Sequence, residues 1–280
     1  MTAWVLDRPL IMGVLNVTPD SFSDGGELAT ASTAALHGRR LAAAGAHILD
    51  VGGEATNPRA QPVTADEELA RVLPVIEQLR GVDARISIDT TKASVALAAV
   101  RAGATIINDV SGGLFDPEMP AAAAQALRDA GAIYICSHLR GGSLAEVFAA
   151  EHRAAGAALT WTEVAADLAV RLAAHAPAVR ASAWIDPGIG FGKGGDPATN
   201  RALLQHAGDI GRLAGGHPVV VGPSRKRFLR ASLGPDATTA DLDRATVAAC
   251  LDALRGGANV LRVHNVALLH TAVTAYNHTS

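Results

Sequence analysis

Eight short apolar runs recur along this chain, and after each one the spacing of apolar residues changes from strand-like to helical. The runs cover 10–17, 46–51, 85–89, 105–110, 132–138, 183–186, 218–222 and 259–264. Apolar residues at i, i+3 and i+4 follow over 31–44, 65–79, 94–102, 120–130, 161–174, 200–213, 240–255 and 267–276. Several of these stretches are followed by glycine, among them Gly103, Gly131 and Gly256, as helix ends often are. Short strands alternating with helices imply a parallel sheet, because parallel neighbours need a long crossover. Eight such units in 280 residues predict a (β/α)8 TIM barrel, with a doubly wound sheet as the alternative. No linker, repeat or low-complexity segment divides the chain, so one domain over 1–280 is expected, with the least patterned span, 141–159, read as a loop.

Composition removes several functional classes. Lys and Arg number 24 against 27 Asp and Glu, a formal net charge of −3 that leaves no footprint for nucleic acid. The basic stretch 224–230 follows a strand and lacks the interleaved aromatics of a stacking surface. No apolar run approaches the roughly 18 residues of a membrane span, so no membrane partner is expected. Cys136 and Cys250 stand too far apart for a metal spacing and read as reduced core thiols, which fits a cytoplasmic protein.

Chemistry gathers where the strand runs stop. After them come Asn16, Asp50 with Glu54, Asp89, Asn108 with Asp109, His138, Asp186, Ser224–Arg225–Lys226, and Arg262 with His264. Singly, such residues cap helices or sit satisfied in a core. At all eight strand ends of a barrel they converge on one mouth, where active sites form. Asp109 is set apart as a partner of Ser111. The chain has three lysines, Lys92, Lys193 and Lys226, each just beyond a strand run, where lysine supplies a compact charge on a flexible stem. Gly190, Gly192 and Gly195 match G-x-G-x-x-G, but in the sixth unit and with the downstream acid, Asp209, inside a helical stretch, so no dinucleotide site is expected.

The segments LIMGVLNVTPDSFSDGG (10–26), DVGGEATNP (50–58), SIDT (87–90), INDVSGG (107–113), DPGIGFGK (186–193), GPSRKRF (222–228) and RVHNV (262–266) resemble the successive signatures of the dihydropteroate synthase family, in its order. The resemblance spans essentially the whole chain. It implies a (β/α)8 barrel, a cytoplasmic homodimer and a transferase of folate biosynthesis that is a sulfonamide target. Such an enzyme condenses 6-hydroxymethyl-7,8-dihydropterin diphosphate with 4-aminobenzoate and releases pyrophosphate. By resemblance Asp89, Asn108 and Asp186 hold the pterin, with Lys226 near the ring. Ser224, Arg225, Arg262 and His264 meet the diphosphate with a Mg²⁺ ion held through Asn16. Phe191, Thr56 and Pro58 surround the aminobenzoate.

The chain departs from the family pattern after the second strand, where Ala55 replaces serine, Asn57 arginine and Arg59 glycine, and again at Asn265, where aspartate is usual. An amide at 57 weakens any anion contact made there. Two other readings stay open: a pterin-binding relative of the corrinoid methyltransferase type, and a non-catalytic paralogue that binds pterin without turnover.

Overall fold

The computed structural model describes residues 6, 8–18, 26–54, 62–147, 159–193 and 197–278, with side chains of 26–29 excepted. Eight strands follow in chain order: β1 (Leu10–Asn16), β2 (Ile48–Gly52), β3 (Arg85–Asp89), β4 (Ile106–Asp109), β5 (Ile133–Ser137), β6 (Trp184–Asp186), β7 (Val220–Val221) and β8 (Val260–Val263). All pairings are parallel, in the order β6-β5-β4-β3-β2-β1-β8-β7. A bridge between Ile185 and Val219, with Ile185 N donating to Pro218 O at 2.9 Å, brings β6 against β7 and closes the ring. The fold is thus the TIM barrel that the alternation predicts, and the doubly wound alternative is excluded because β1 pairs on both sides and the sheet returns on itself.

Besides a helical turn at 144–147, the helices among the described residues are α1 (Gly26–Ala43), α2 (Ala65–Gln78), α3 (Ala93–Ala102), α4 (Met119–Ala130), α5 (Trp161–Ala173), α6 (Pro177–Ser182), α7 (Pro197–Gln205), α8 (Ala207–Leu213), α9 (Arg227–Leu233), α10 (Thr239–Arg255) and α11 (Val266–Asn277). Capping boxes start three of them: Thr64 with Glu67, Thr160 with Glu163, and Thr238 with Asp241. Each side chain satisfies a backbone N–H that the first turn leaves open, about 1 kcal/mol apiece. At the far end of α4, Gly131 takes φ +65, the left-handed geometry that terminates a helix without a Cβ penalty.

Three expectations change. The helix read over 200–213 is two, α7 and α8, broken at His206 so that Gly208 can press onto the backbone of 256–257, its N–H donating to Gly256 O at 2.6 Å. The short α6 and α9 were not expected, since six or seven residues are too few to display a 3.6-residue period. Within the loop expected over 141–159, residues 144–147 are helical and Val147 is buried, while 148–158 lie outside the described residues.

Strand alternation positions the site. In the lower barrel, Leu10, Met12, Ile48, Ile106, Ile133, Ile135, Trp184, Val220 and Val260 form one apolar plug. Two residues further along a strand, side chains return to the same face, so Val14, Asp50, Asn108, Asp186 and Arg262 form the layer above. Residues of opposite parity, such as Ile11, Leu15, Ile107 and Leu261, pack into the larger core that includes the surrounding helices. The plug seals the barrel and leaves its C-terminal mouth polar.

Candidate active site

A cavity of about 360 Å³ opens above the plug. Its lining includes Asn16 of β1, Asp89 of β3, Asn108 of β4 and Asp186 of β6. Phe191 comes from the loop after β6, Ser224, Arg225 and Lys226 from the loop after β7, and Arg262 and His264 from β8 and its end. These ten residues, drawn from six strands or their loops, are the ones singled out in the sequence for this region. Thr56 and Pro58 lie outside the described residues, as do Ala55, Asn57 and Arg59.

The floor is an ionic set. Arg262 Nε donates to Asp50 Oδ2 at 2.6 Å and its Nη2 to Asp89 Oδ2 at 2.6 Å, while Asn108 Nδ2 donates to Asp50 Oδ2 at 3.0 Å. Asp50 is fully buried, so it holds Arg262 and Asn108 from beneath. Among the described residues its Oδ1 has no hydrogen-bond partner. Burial pushes the Asp89 carboxyl up to about 7, against the pull of Arg262. Burial disfavours the Arg262 charge, yet Asp50 and Asp89 more than offset this and hold its pKa above the usual arginine value. Asp186 is likewise raised by burial, although its Oδ1 accepts the Gly188 N–H at 2.7 Å. Together these groups present carboxylate oxygens and an amide toward a ligand, the surface that suits a row of ring N–H donors.

The rim is cationic. Ser224 Oγ accepts the His264 backbone N–H at 3.2 Å and lies 2.9 Å from His264 Nδ1. The serine hydroxyl can then donate to Nδ1, which leaves the ring proton on Nε2. Burial, followed by the charges of Arg262, Arg225 and Lys226, holds His264 down to about 4, so the ring is neutral at pH 7. Lys226 Nζ sits 3.7 Å above the centre of the Phe191 ring, a cation–π contact. Arg225 is, among the described residues, the only non-glycine with positive φ, at +57. Its N–H donates to Thr246 Oγ1 at 3.1 Å, and its guanidinium makes two bonds to Asp243 of α10, at 2.8 and 3.1 Å. Part of the Arg225 charge is therefore already matched.

The three lysines divide. Lys226 lines the cavity. Lys92 joins Glu54 and the fully buried Glu68. Lys193, only 3% exposed, contacts His138 behind the cavity wall. Asp109 accepts from Ser111 N and Oγ, from Gly113 N and from Tyr134 Oη, a structural knot beneath the loop after β4. Asp50 is the functional residue that sequence placed in the ring without a task. Its signal is an acid inside an otherwise apolar strand, Ile48–Gly52, buried at every position.

Fold and site define a (β/α)8 enzyme whose mouth pairs a carboxylate-lined floor with a cationic rim. The chain belongs to the pterin binding enzyme family, whose family model matches residues 12–264. It is 41% identical over 276 residues to the dihydropteroate synthase of Synechocystis, covering 92% of this chain and 86% of that one. Among solved structures, it is similar to the dihydropteroate synthase of Xanthomonas albilineans in complex with 7,8-dihydropteroate, with a TM-score of 0.81 and 39% identity over 99% of this chain and 95% of the other. The Yersinia pestis enzyme in a sulfonamide drug complex gives a TM-score of 0.84 and 33% identity over 100% and 98%.

Proposed function

We infer that this chain is a dihydropteroate synthase, a transferase of folate biosynthesis. It joins the pterin methylene of 6-hydroxymethyl-7,8-dihydropterin diphosphate to the amine of 4-aminobenzoate. The observation that carries this reading is the division of one cavity into an acceptor-rich floor and a cationic rim. A substrate with a donor-rich heterocycle at one end and a diphosphate at the other matches that division.

In the proposed assignment Asp89 and Asp186 accept the guanidine-like N–H groups of the pterin, and Asn108 offers both a donor and an acceptor. The bond between the methylene carbon and the diphosphate oxygen breaks with its electron pair leaving on the diphosphate. Arg262, His264 and Lys226 stabilise the growing negative charge, with Ser224 holding the His264 ring so that its Nε2–H is presented, and with a smaller share from Arg225 because Asp243 already engages it. Within Arg262, Nε and Nη2 are used by the floor, and Nη1 faces no protein acceptor among the described residues. The amine lone pair forms the new C–N bond, and the amine then loses one proton. Departure ahead of attack gives the substitution cationic character. An aromatic amine is already a nucleophile, so the protein positions it beside Phe191, with Thr56 and Pro58 as further neighbours.

Mg²⁺ fits this assignment in a limited way. Among the described residues no group of three or more His, Cys, Asp or Glu could cage a metal. Mg²⁺ commonly binds through substrate phosphates and water with few protein ligands, so the amide oxygen of Asn16 at the cavity edge is a suitable single ligand. When bound, the ion would neutralise charge on the leaving diphosphate. We further propose a cytoplasmic homodimer. No helix among the described residues is long and apolar enough to cross a membrane.

Incubation of the purified chain with both substrates and Mg²⁺ tests the assignment. The expected result is equal molar release of pyrophosphate and 7,8-dihydropteroate. Pterin diphosphate binding without product would instead establish the non-catalytic paralogue.

A further inference from the structure

Behind the wall that carries Phe191, a buried chain of polar groups links three parts of the barrel. Lys193 Nζ lies 2.8 Å from His138 Nδ1, 3.2 Å from His138 O and 2.9 Å from Phe191 O. His138, fully buried at the end of β5, places its Nε2 3.0 Å from Asp167 Oδ2 on α5. Arg140 Nε meets that same carboxylate oxygen at 3.1 Å from the solvent side. The ammonium can only donate, so His138 Nδ1 accepts and its ring proton sits on Nε2, directed at Asp167. Burial, and next the charge of Lys193, hold His138 far below the usual histidine range, which keeps the ring neutral and this polarity fixed.

The loop between β6 and Lys193 is pressed onto the end of β5. Gly188 has φ +70, and a Cβ there would fall 1.8 Å from His138 O, so no other residue fits. His138 N donates to Asp186 O at 2.9 Å, and Phe191 N donates to Gly188 O at 3.0 Å. Phe191 is therefore held at its nitrogen by the turn and at its carbonyl by Lys193. Burying an ammonium is unfavourable unless its protons are all donated. Here the acceptors belong to two loops, and one of them is the backbone of the residue whose ring faces the cavity.

We propose that Lys193, His138 and Asp167 are positioning residues for the aromatic amine. The chain from ammonium to imidazole to carboxylate fixes the carbonyl of Phe191, and through it the height and tilt of the ring against the incoming aryl group. This rests on the reading above that Phe191 flanks the 4-aminobenzoate. None of the three touches the reacting atoms.

Steady-state kinetics on the full chain test it, with pterin binding measured in parallel by calorimetry. Lys193→Met keeps most of the side-chain volume and removes the charge. It should raise KM for 4-aminobenzoate about ten-fold, change kcat less, and leave pterin affinity as it was. Asp167→Asn, at the half-exposed end of the chain, should raise the same KM about three-fold, and it decides the matter if Lys193→Met does not fold. Phe191→Ala should also raise that KM, and adding Lys193→Met to Phe191→Ala should change it no further. A lowered melting temperature with unchanged KM in the Lys193 and Asp167 variants, while Phe191→Ala still raises it, overturns the positioning role alone. Should Phe191→Ala leave KM unchanged, the placement of the aminobenzoate fails and the proposal falls with it.

Discussion

At the floor of the cavity Asp50, Asp89, Asn108 and Arg262 are bound to one another, whereas at the rim Lys226 and His264 are held by a ring contact and a serine. The floor is complete before any ligand arrives. Its charges are set against one another inside the protein, with Arg262 between Asp50 and Asp89, and recognition and stability share the same atoms. The rim gathers Arg225, Lys226 and His264 around the cavity mouth. A ligand with a neutral heterocycle and an anionic tail is thereby oriented by chemistry as well as shape.

The largest effect expected from this difference is on stability. Arg262→Ala leaves Asp50 buried and Asp89 beside it without their cation, and should cost about 3–5 kcal/mol in chemical denaturation. Lys226→Ala should lower turnover by ~10²–10³ with little change in the same denaturation curve. If Arg262→Ala unfolds at the same denaturant concentration as the parent, the floor is no structural unit.

Next comes Asp186→Asn, which keeps the shape of the floor but turns one acceptor into a donor facing ring N–H groups. Pterin binding should weaken by about 2–3 kcal/mol by calorimetry. Unchanged affinity would remove Asp186 from the floor.

The two ends should also respond to pH in opposite directions. Asp89, pushed up to about 7, is protonated below that value and then cannot accept two N–H groups, so affinity for an uncharged pterin should fall as pH drops from 8 to 5.5. His264, held down to about 4, is neutral across this range until a diphosphate raises its pKa. Its protonation then accompanies anion binding, so the advantage of the parent over His264→Gln in pyrophosphate affinity should grow as pH falls. Parallel trends in the two titrations would erase the distinction between floor and rim.

The smallest expected effect lies at residue 57. Asn57→Arg adds a cation between β2 and α2 and should improve diphosphate affinity by about 1 kcal/mol, since ordering a long side chain offsets much of a charge-assisted bond. If Arg59 already serves, Asn57→Arg changes little and Arg59→Ala lowers activity. No effect from either variant removes this loop from the rim.

Much of this arrangement is legible in the sequence because a barrel turns a linear pattern into a ring. A polar residue two places beyond a buried apolar one on a strand must face the same interior, so Asn108, Asp186 and Arg262 converge without any knowledge of contacts, and Asp89 follows the buried Ser87 by the same step. What the pattern lacks is pairing. That Asp50 binds both Asn108 and Arg262 depends on register between strands distant in the chain. Asp243 and Asp167 sit within helices, where an acid is ordinarily a solvated face, and nothing local marks them as partners of Arg225 and His138. Asn265 illustrates both sides. Its departure from the family aspartate is visible in sequence, but its reason is not: Nδ2 donates to Asp243 Oδ2 at 2.9 Å while Oδ1 caps α11. An aspartate there would set two carboxylates against each other.

The closure of the ring bears on timing. Strand β1 is laced to β2 and β8, whereas β6 meets β7 through the Ile185–Val219 bridge. The loops leaving β6 and β7 deliver Phe191 and Lys226, whose contact spans that seam above the sheet. Local opening follows the fewest backbone bonds, so the barrel should breathe first where those loops are rooted. Amide hydrogen exchange should accordingly be faster at Ile185 and Val220 than over Met12–Val14, and equal protection would place the breathing elsewhere. The residence time of a bound product would then be a property of the sheet as well as of the site, because the groups proposed to hold it ride on the seam expected to open most often.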